Sequence, residues 1–88
     1  MHQRDPAKAG AAILEAVENQ LKANDPPKVK EALKRLMSQG INRDESKKYI
    51  ASALSVEIFG ALKNHEEFNP QRYDQNLEKL PEMPWDEK

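Results

Sequence analysis

Reactive side chains are sparse in this 88-residue sequence, and their spacing completes no catalytic set. Two histidines are present, His2 and His65, and cysteine is absent. Without cysteine there is no disulfide, no thiolate metal ligand and no thiol nucleophile. His65 is followed by Glu66 and Glu67, which imitates part of a metal site. No second histidine stands three or four residues away and no His-Glu-x-x-His pattern occurs, so neither metal nor cofactor is expected. A cation near a helix C-terminus complements the macrodipole, and that is the simpler role for His65.

Among the carboxylates Glu57 stands out, because it lies between Val56 and Ile58 in an apolar stretch. A partly buried glutamate with a raised pKa can act as general acid or base. The plainer reading is a rim residue paired with a lysine or arginine. A single carboxylate names no reaction, and joining it with His65 or Tyr49 gives the weakest of the functional readings. No catalytic residue is assigned, and the chain reads as a non-enzyme.

Cations offer a different chemistry. Lys28, Lys30, Lys34 and Arg35 make one predicted helix basic, with Glu31 as its only opposing charge, and Lys47 and Lys48 follow. Phosphate contacts need such residues, so anion or nucleic-acid binding through 26–39 is an alternative function. Aromatic interleaving and a glycine-rich phosphate loop are missing, and the whole chain carries a net charge of −1, which favours an ordinary solvated face. The charge is uneven: residues 1–65 sum to +3 and residues 66–88 to −4. An acidic end beside a basic body points to solubility or intramolecular pairing.

The remaining candidates are contact residues. Glu18, Asn19 and Gln20 precede the Asn24-Asp25-Pro26-Pro27 corner, where a structural role between the first two helices is expected. Met83 and Trp85 sit in a short stretch with Pro81 and Pro84, and tryptophan is a frequent interface anchor. Trp85 either meets a partner or docks on its own domain. Tyr49 and Val56 join it as candidate protein contacts.

These residues must be positioned by helices. Pro6, Pro26 and Pro70 each follow a good cap, namely Asp5, Asp25 and Asn69. Proline costs nothing at a first helical position, where its missing N–H has no partner to lose. Ile13, Val17 and Leu21 mark a helix over 6–23, closed by Asn24. Val29, Leu33, Leu36 and Met37 mark a second over 26–39, with Gly40 and Ile41 placed for a Schellman ending. Asn42 and Glu45 form a capping box for a third over 43–64. Its stripes, Ile50-Leu54-Ile58-Ala61-Leu62 and Tyr49-Ala53-Val56-Gly60, predict a central helix packed on two sides. Gly60 within it predicts a close helix contact or a bend. Tyr73, Leu77 and Leu80 mark a fourth over 70–80, with Phe68 and Tyr73 spaced as a hydrophobic staple. No strand pattern competes. The fold class is all-α: one domain over 1–80, a compact bundle of about four helices, followed by a flexible acidic tail over 81–88. The polar start lacks a secretory leader and no window spans a bilayer, so a soluble cytoplasmic protein is expected.

Val17-Glu18-Asn19-Gln20-Leu21, Asn24-Asp25-Pro26-Pro27, Leu33 to Gly40, Ile58 and Phe68…Tyr73…Leu77 together resemble a family of small, uncharacterised bacterial helical domains. The resemblance covers about residues 13–80 and implies the same helical fold without implying an activity. Relatives, on that resemblance, carry histidines at the positions of Leu14, Asp44 and Lys48. Any metal or catalytic step resting on those histidines is lost here. The leading expectation is a non-enzymatic helical module that binds a protein or a second copy of itself, with no membrane partner.

Overall fold

The computed structural model describes residues 6–64 and 67–82. Four helices follow one another: α1 (Pro6–Ala23), α2 (Pro27–Ser38), α3 (Arg43–Asn64) and α4 (Pro70–Lys79). No strand occurs among the described residues. The expected tail beyond Glu82, with Met83 and Trp85, lies outside them, as do His2, His65 and Glu66.

Local chemistry sets the boundaries. Asn24 takes the left-handed conformation at φ 55°, and the Asp25 N–H reaches the Gln20 carbonyl at 3.1 Å. Gly40 does the same for α2 at φ 94°, with the Ile41 N–H on the Leu36 carbonyl at 3.2 Å. Both are Schellman closures, which satisfy carbonyls that the helix itself leaves open. The Asn42 side chain accepts the Glu45 N–H at 2.8 Å, and Asn69 accepts the Arg72 N–H at 3.0 Å. The Phe68 and Tyr73 rings meet edge to face at 5.7 Å, as a staple requires.

The second helix departs from expectation. Pro26 is its N-cap, extended at φ −78° and ψ 152°, and Pro27 is the first helical residue. A residue before proline is pushed out of the α region by the following ring, so Pro26 cannot begin a helix ahead of Pro27. Asp25 is therefore not the cap, and no side chain caps α2. The same restriction ends α4 one residue early, with Leu80 extended before Pro81.

α3 touches all three other helices, and α2 packs on α1 and α4 as well. The core holds Val17 from α1, Val29, Ala32, Leu33 and Leu36 from α2, Ile50, Ala53 and Leu54 from α3, and Tyr73, Leu77 and Leu80 from the last helix and its cap. Met37 is not part of it: one step past Leu36 turns the side chain out, and Ala32 fills the inward position. Leu62 is also outside, at 71% exposure. α3 has 22 residues and is about 33 Å long, whereas α2 and α4, with 12 and 10, cover about 18 and 15 Å. α1, with 18 residues and a length of about 27 Å, runs along α3, whereas α2 and α4 cover only part of its length.

Among the described residues, a Cβ at Gly60 would meet nothing within 4 Å, so the close contact expected there is not made. Gly40→Ala is expected to destabilise the fold by about 1 kcal/mol, because alanine resists positive φ even with open space around it. Gly60→Ala is expected to stabilise it by about 0.5–1 kcal/mol, since only helix propensity changes. Urea denaturation of the two variants should give these opposite signs.

Candidate functional site

α2 holds the basic cluster, but its four cations do not share one task. Lys28 pairs with Glu78 on α4 and lies 3.9 Å from Glu31. The Arg35 guanidinium donates to the Leu77 and Leu80 carbonyls, both at 2.8 Å. These are terminal carbonyls of α4, so Arg35 sits at the negative end of that helix and caps it from outside. Lys30 and Lys34 remain exposed on the far side of α2.

Glu57 is paired with an arginine, as expected, but it is a core residue and not a rim one. Its side chain is fully buried. Arg72 Nε donates to Oε2 at 2.6 Å and Nη2 to Oε1 at 3.0 Å, while the Asn69 N–H reaches Oε1 at 3.3 Å. A forked guanidinium suits a carboxylate held in one plane. Donors thus occupy both oxygens, and the carboxylate anchors the start of α4. Tyr49 lies elsewhere, on a flank of α3 beside Ser52.

Glu18 and Gln20 hold helices together, though not at the corner between α1 and α2. Glu18 receives Lys47 of α3 and stands 3.5 Å from Arg43. Its carboxyl is held below the ordinary range, first by the hydrogen bond from Lys47. Gln20 accepts the Tyr73 hydroxyl at 2.8 Å, which ties α1 to α4. Burial pushes the Tyr73 phenol well above its usual value, so it stays a neutral donor. Asn19 is exposed, and the corner itself rests on the backbone bonds of Asn24 and Asp25.

Among the described residues, the exposed large apolar side chains are Met37 on α2, Phe68 before α4, and Phe59 and Leu62 on α3. A shallow groove of about 270 Å³ runs between α1 and α3, floored by Ile13, Leu14 and Ala51 with Gly10, Ser55 and Lys48 at its edges. A second recess of about 190 Å³ is lined by Glu45, Lys48, Tyr49 and Ser52. Val56 is half-buried, Phe59 is 56% exposed, and Leu62, 71% exposed, lies one turn beyond Phe59 and about 60° around the helix. Phe59 was legible as a surface residue: nine steps of ~100° place it opposite Ile50, which lies in the core. Leu14 and Lys48 share the groove, and exposed Asp44 stands one turn before Lys48.

Among the described residues, no group of three or more His, Cys, Asp or Glu could hold a metal ion. No described helix is long and apolar enough to cross a membrane. Models of known families, curated proteins and solved structures give no match to the chain.

The buried ion pair predicts an asymmetry. Arg72→Leu leaves the Glu57 carboxylate without its fork in the interior and is expected to cost about 3 kcal/mol. Glu57→Leu should cost clearly less, because the Arg72 side chain is 43% exposed and can return to water. Equal losses in urea denaturation would contradict this assignment.

A pH dependence also follows. Glu78, like Glu18, is held below the ordinary carboxyl range, first by its hydrogen bond from Lys28. A carboxyl depressed in the folded state contributes stability above its unfolded pKa and loses it as pH falls through the folded one. Stability should therefore decline as pH drops below the ordinary carboxyl range. Glu18→Gln combined with Glu78→Gln should flatten that decline, measured as the shift of the urea midpoint between neutral and acid pH.

Proposed function

We propose that this chain is a non-enzymatic helical interaction module. Its working surface is the outward face of α3, and its partner is a protein that offers an amphipathic helix. The observation that carries the reading is the exposure of Phe59 and Leu62 on a regular helix, beside half-buried Val56. Covering a phenylalanine or leucine is worth about 1.5–3 kcal/mol, so leaving two in water on one strip is a cost that a partner removes. Val56, Phe59 and Lys63 follow the i, i+3 and i+7 spacing by which another helix is read, with Leu62 flanking them.

The anion-binding alternative through α2 retains only Lys30 and Lys34, because Lys28 and Arg35 are engaged by α4. The absence of cysteine fits a reducing, cytoplasmic setting for the encounter.

A display library of amphipathic helical peptides, panned on the immobilised chain, tests the reading. The wild-type protein should enrich binders, and Phe59→Glu should weaken each of them by about tenfold or more. The variant should melt like the wild type, since Phe59 is outside the core. Failure to enrich any helix, or enrichment indifferent to Phe59→Glu, would reject it.

A further inference from the structure

The seam along α3 identifies its own occupant. Glu45, Tyr49, Ser52, Val56, Phe59 and Lys63 follow one another at spacings of four, three, four, three and four. At ~100° per residue they fall within about 80° of arc, on the side of α3 turned away from Ile50 and Leu54. This is the spacing of a coiled-coil seam. Glu45, Phe59 and Lys63 are exposed, and Tyr49, Ser52 and Val56 are half-buried, with Tyr49 packed in part against the chain's own core.

The order of residues along the seam is complementary to its own reverse. An acid stands at one end and a base at the other, each is followed inward by an aromatic residue, and the middle is small or β-branched. We propose that the partner of this face is a second copy of the chain, paired antiparallel along α3 about a two-fold axis between Ser52 and Val56. The proposal rests on the reading of α3 as the interaction surface. In this register Glu45 faces the second copy's Lys63, Tyr49 faces its Phe59, and Ser52 faces its Val56, and the two-fold axis repeats each pair. A parallel pairing would set Glu45 on Glu45 and Lys63 on Lys63, placing like charges together at both ends.

The shape of the surface agrees with the register. The recess of about 190 Å³ lined by Glu45, Lys48, Tyr49 and Ser52 lies at the end of the seam where the second copy's Phe59 arrives. Phe59, more than half exposed in the single chain, is thus the knob, and the recess beside Tyr49 is its hole. Lys48 already sits 3.3 Å from Glu45, so the arriving Lys63 completes a three-charge cluster at each end. A single helix pair buries less than a standard protein interface of ~1,600 Å², so the dimer is weak and depends on concentration.

Sedimentation equilibrium of the full chain from micromolar to millimolar concentration tests this, with circular dichroism confirming that each variant keeps its helices. The wild type should pass from monomer to dimer, and Phe59→Glu should raise the dissociation constant by about tenfold or more. Glu45→Lys and Lys63→Glu should each weaken the dimer, and the double reversal should recover it, because the ends then attract again with their signs exchanged. A wild type that stays monomeric, a dimer indifferent to Phe59→Glu, or a double reversal whose losses add would each overturn the pairing. If a monomeric wild type still enriches helical peptides through Phe59, self-pairing fails while the interaction surface stands. If it enriches none, both fail.

Discussion

Glu57 constrains everything that happens on one side of this molecule. Removing a carboxylate from water is expensive, and the cost is offset only when strong donors meet both oxygens. Those donors are Arg72 and the Asn69 N–H, which belong to the first turn of α4 and its cap. α4 can therefore seat in one register only. In that register Arg35 reaches the carbonyls at its other end, and Tyr73 reaches Gln20 of α1. A ten-residue helix is too short to be stable alone, so these clamps and the burial of Tyr73, Leu77 and Leu80 hold it jointly.

Seating α4 in this way assigns the two sides of α3 different fates. The inward side, from Ser46 through Ile50 and Leu54 to Glu57, is closed by α1, α2 and α4. The outward side is only partly covered: Tyr49 still packs against the core, Ser52 and Val56 are half-buried, and Phe59 stands more than half exposed. Phe59 contributes little to the packing of a single chain. The proposed interaction surface is the remainder left by the same packing that fixes the fold.

What the sequence reveals depends on the range of the physics involved. The endings at Asn24 and Gly40, the caps at Asn42 and Asn69 and the Phe68–Tyr73 staple are all legible, because each involves residues within one turn of each other. Pro26 is misread when proline is taken as a first helical residue without regard to Pro27 behind it. Met37 is misread on phase, because one step past Leu36 turns it out, and Leu62 because a stripe does not give the length of the helices that cover it. Glu57 lies three residues after Leu54 and seven after Ile50, so its inward direction is present in the spacing. Attention to its immediate neighbours, Val56 and Ile58, hides that. Its partner fifteen residues away, in a different helix, has no local signal.

The uneven charge of the chain is used at one described point, where Glu78 of the acidic second part pairs with Lys28 of the basic body across the α2–α4 contact. Arg35 beside it meets the α4 carbonyls instead of an acid. A polyanion that recruited all four α2 cations would have to break the Lys28–Glu78 pair and take Arg35 from the end carbonyls of α4, which leaves that helix end uncapped. Half of the basic character of α2, Lys28 and Arg35, thus serves to hold α4, while Lys30 and Lys34 stay exposed.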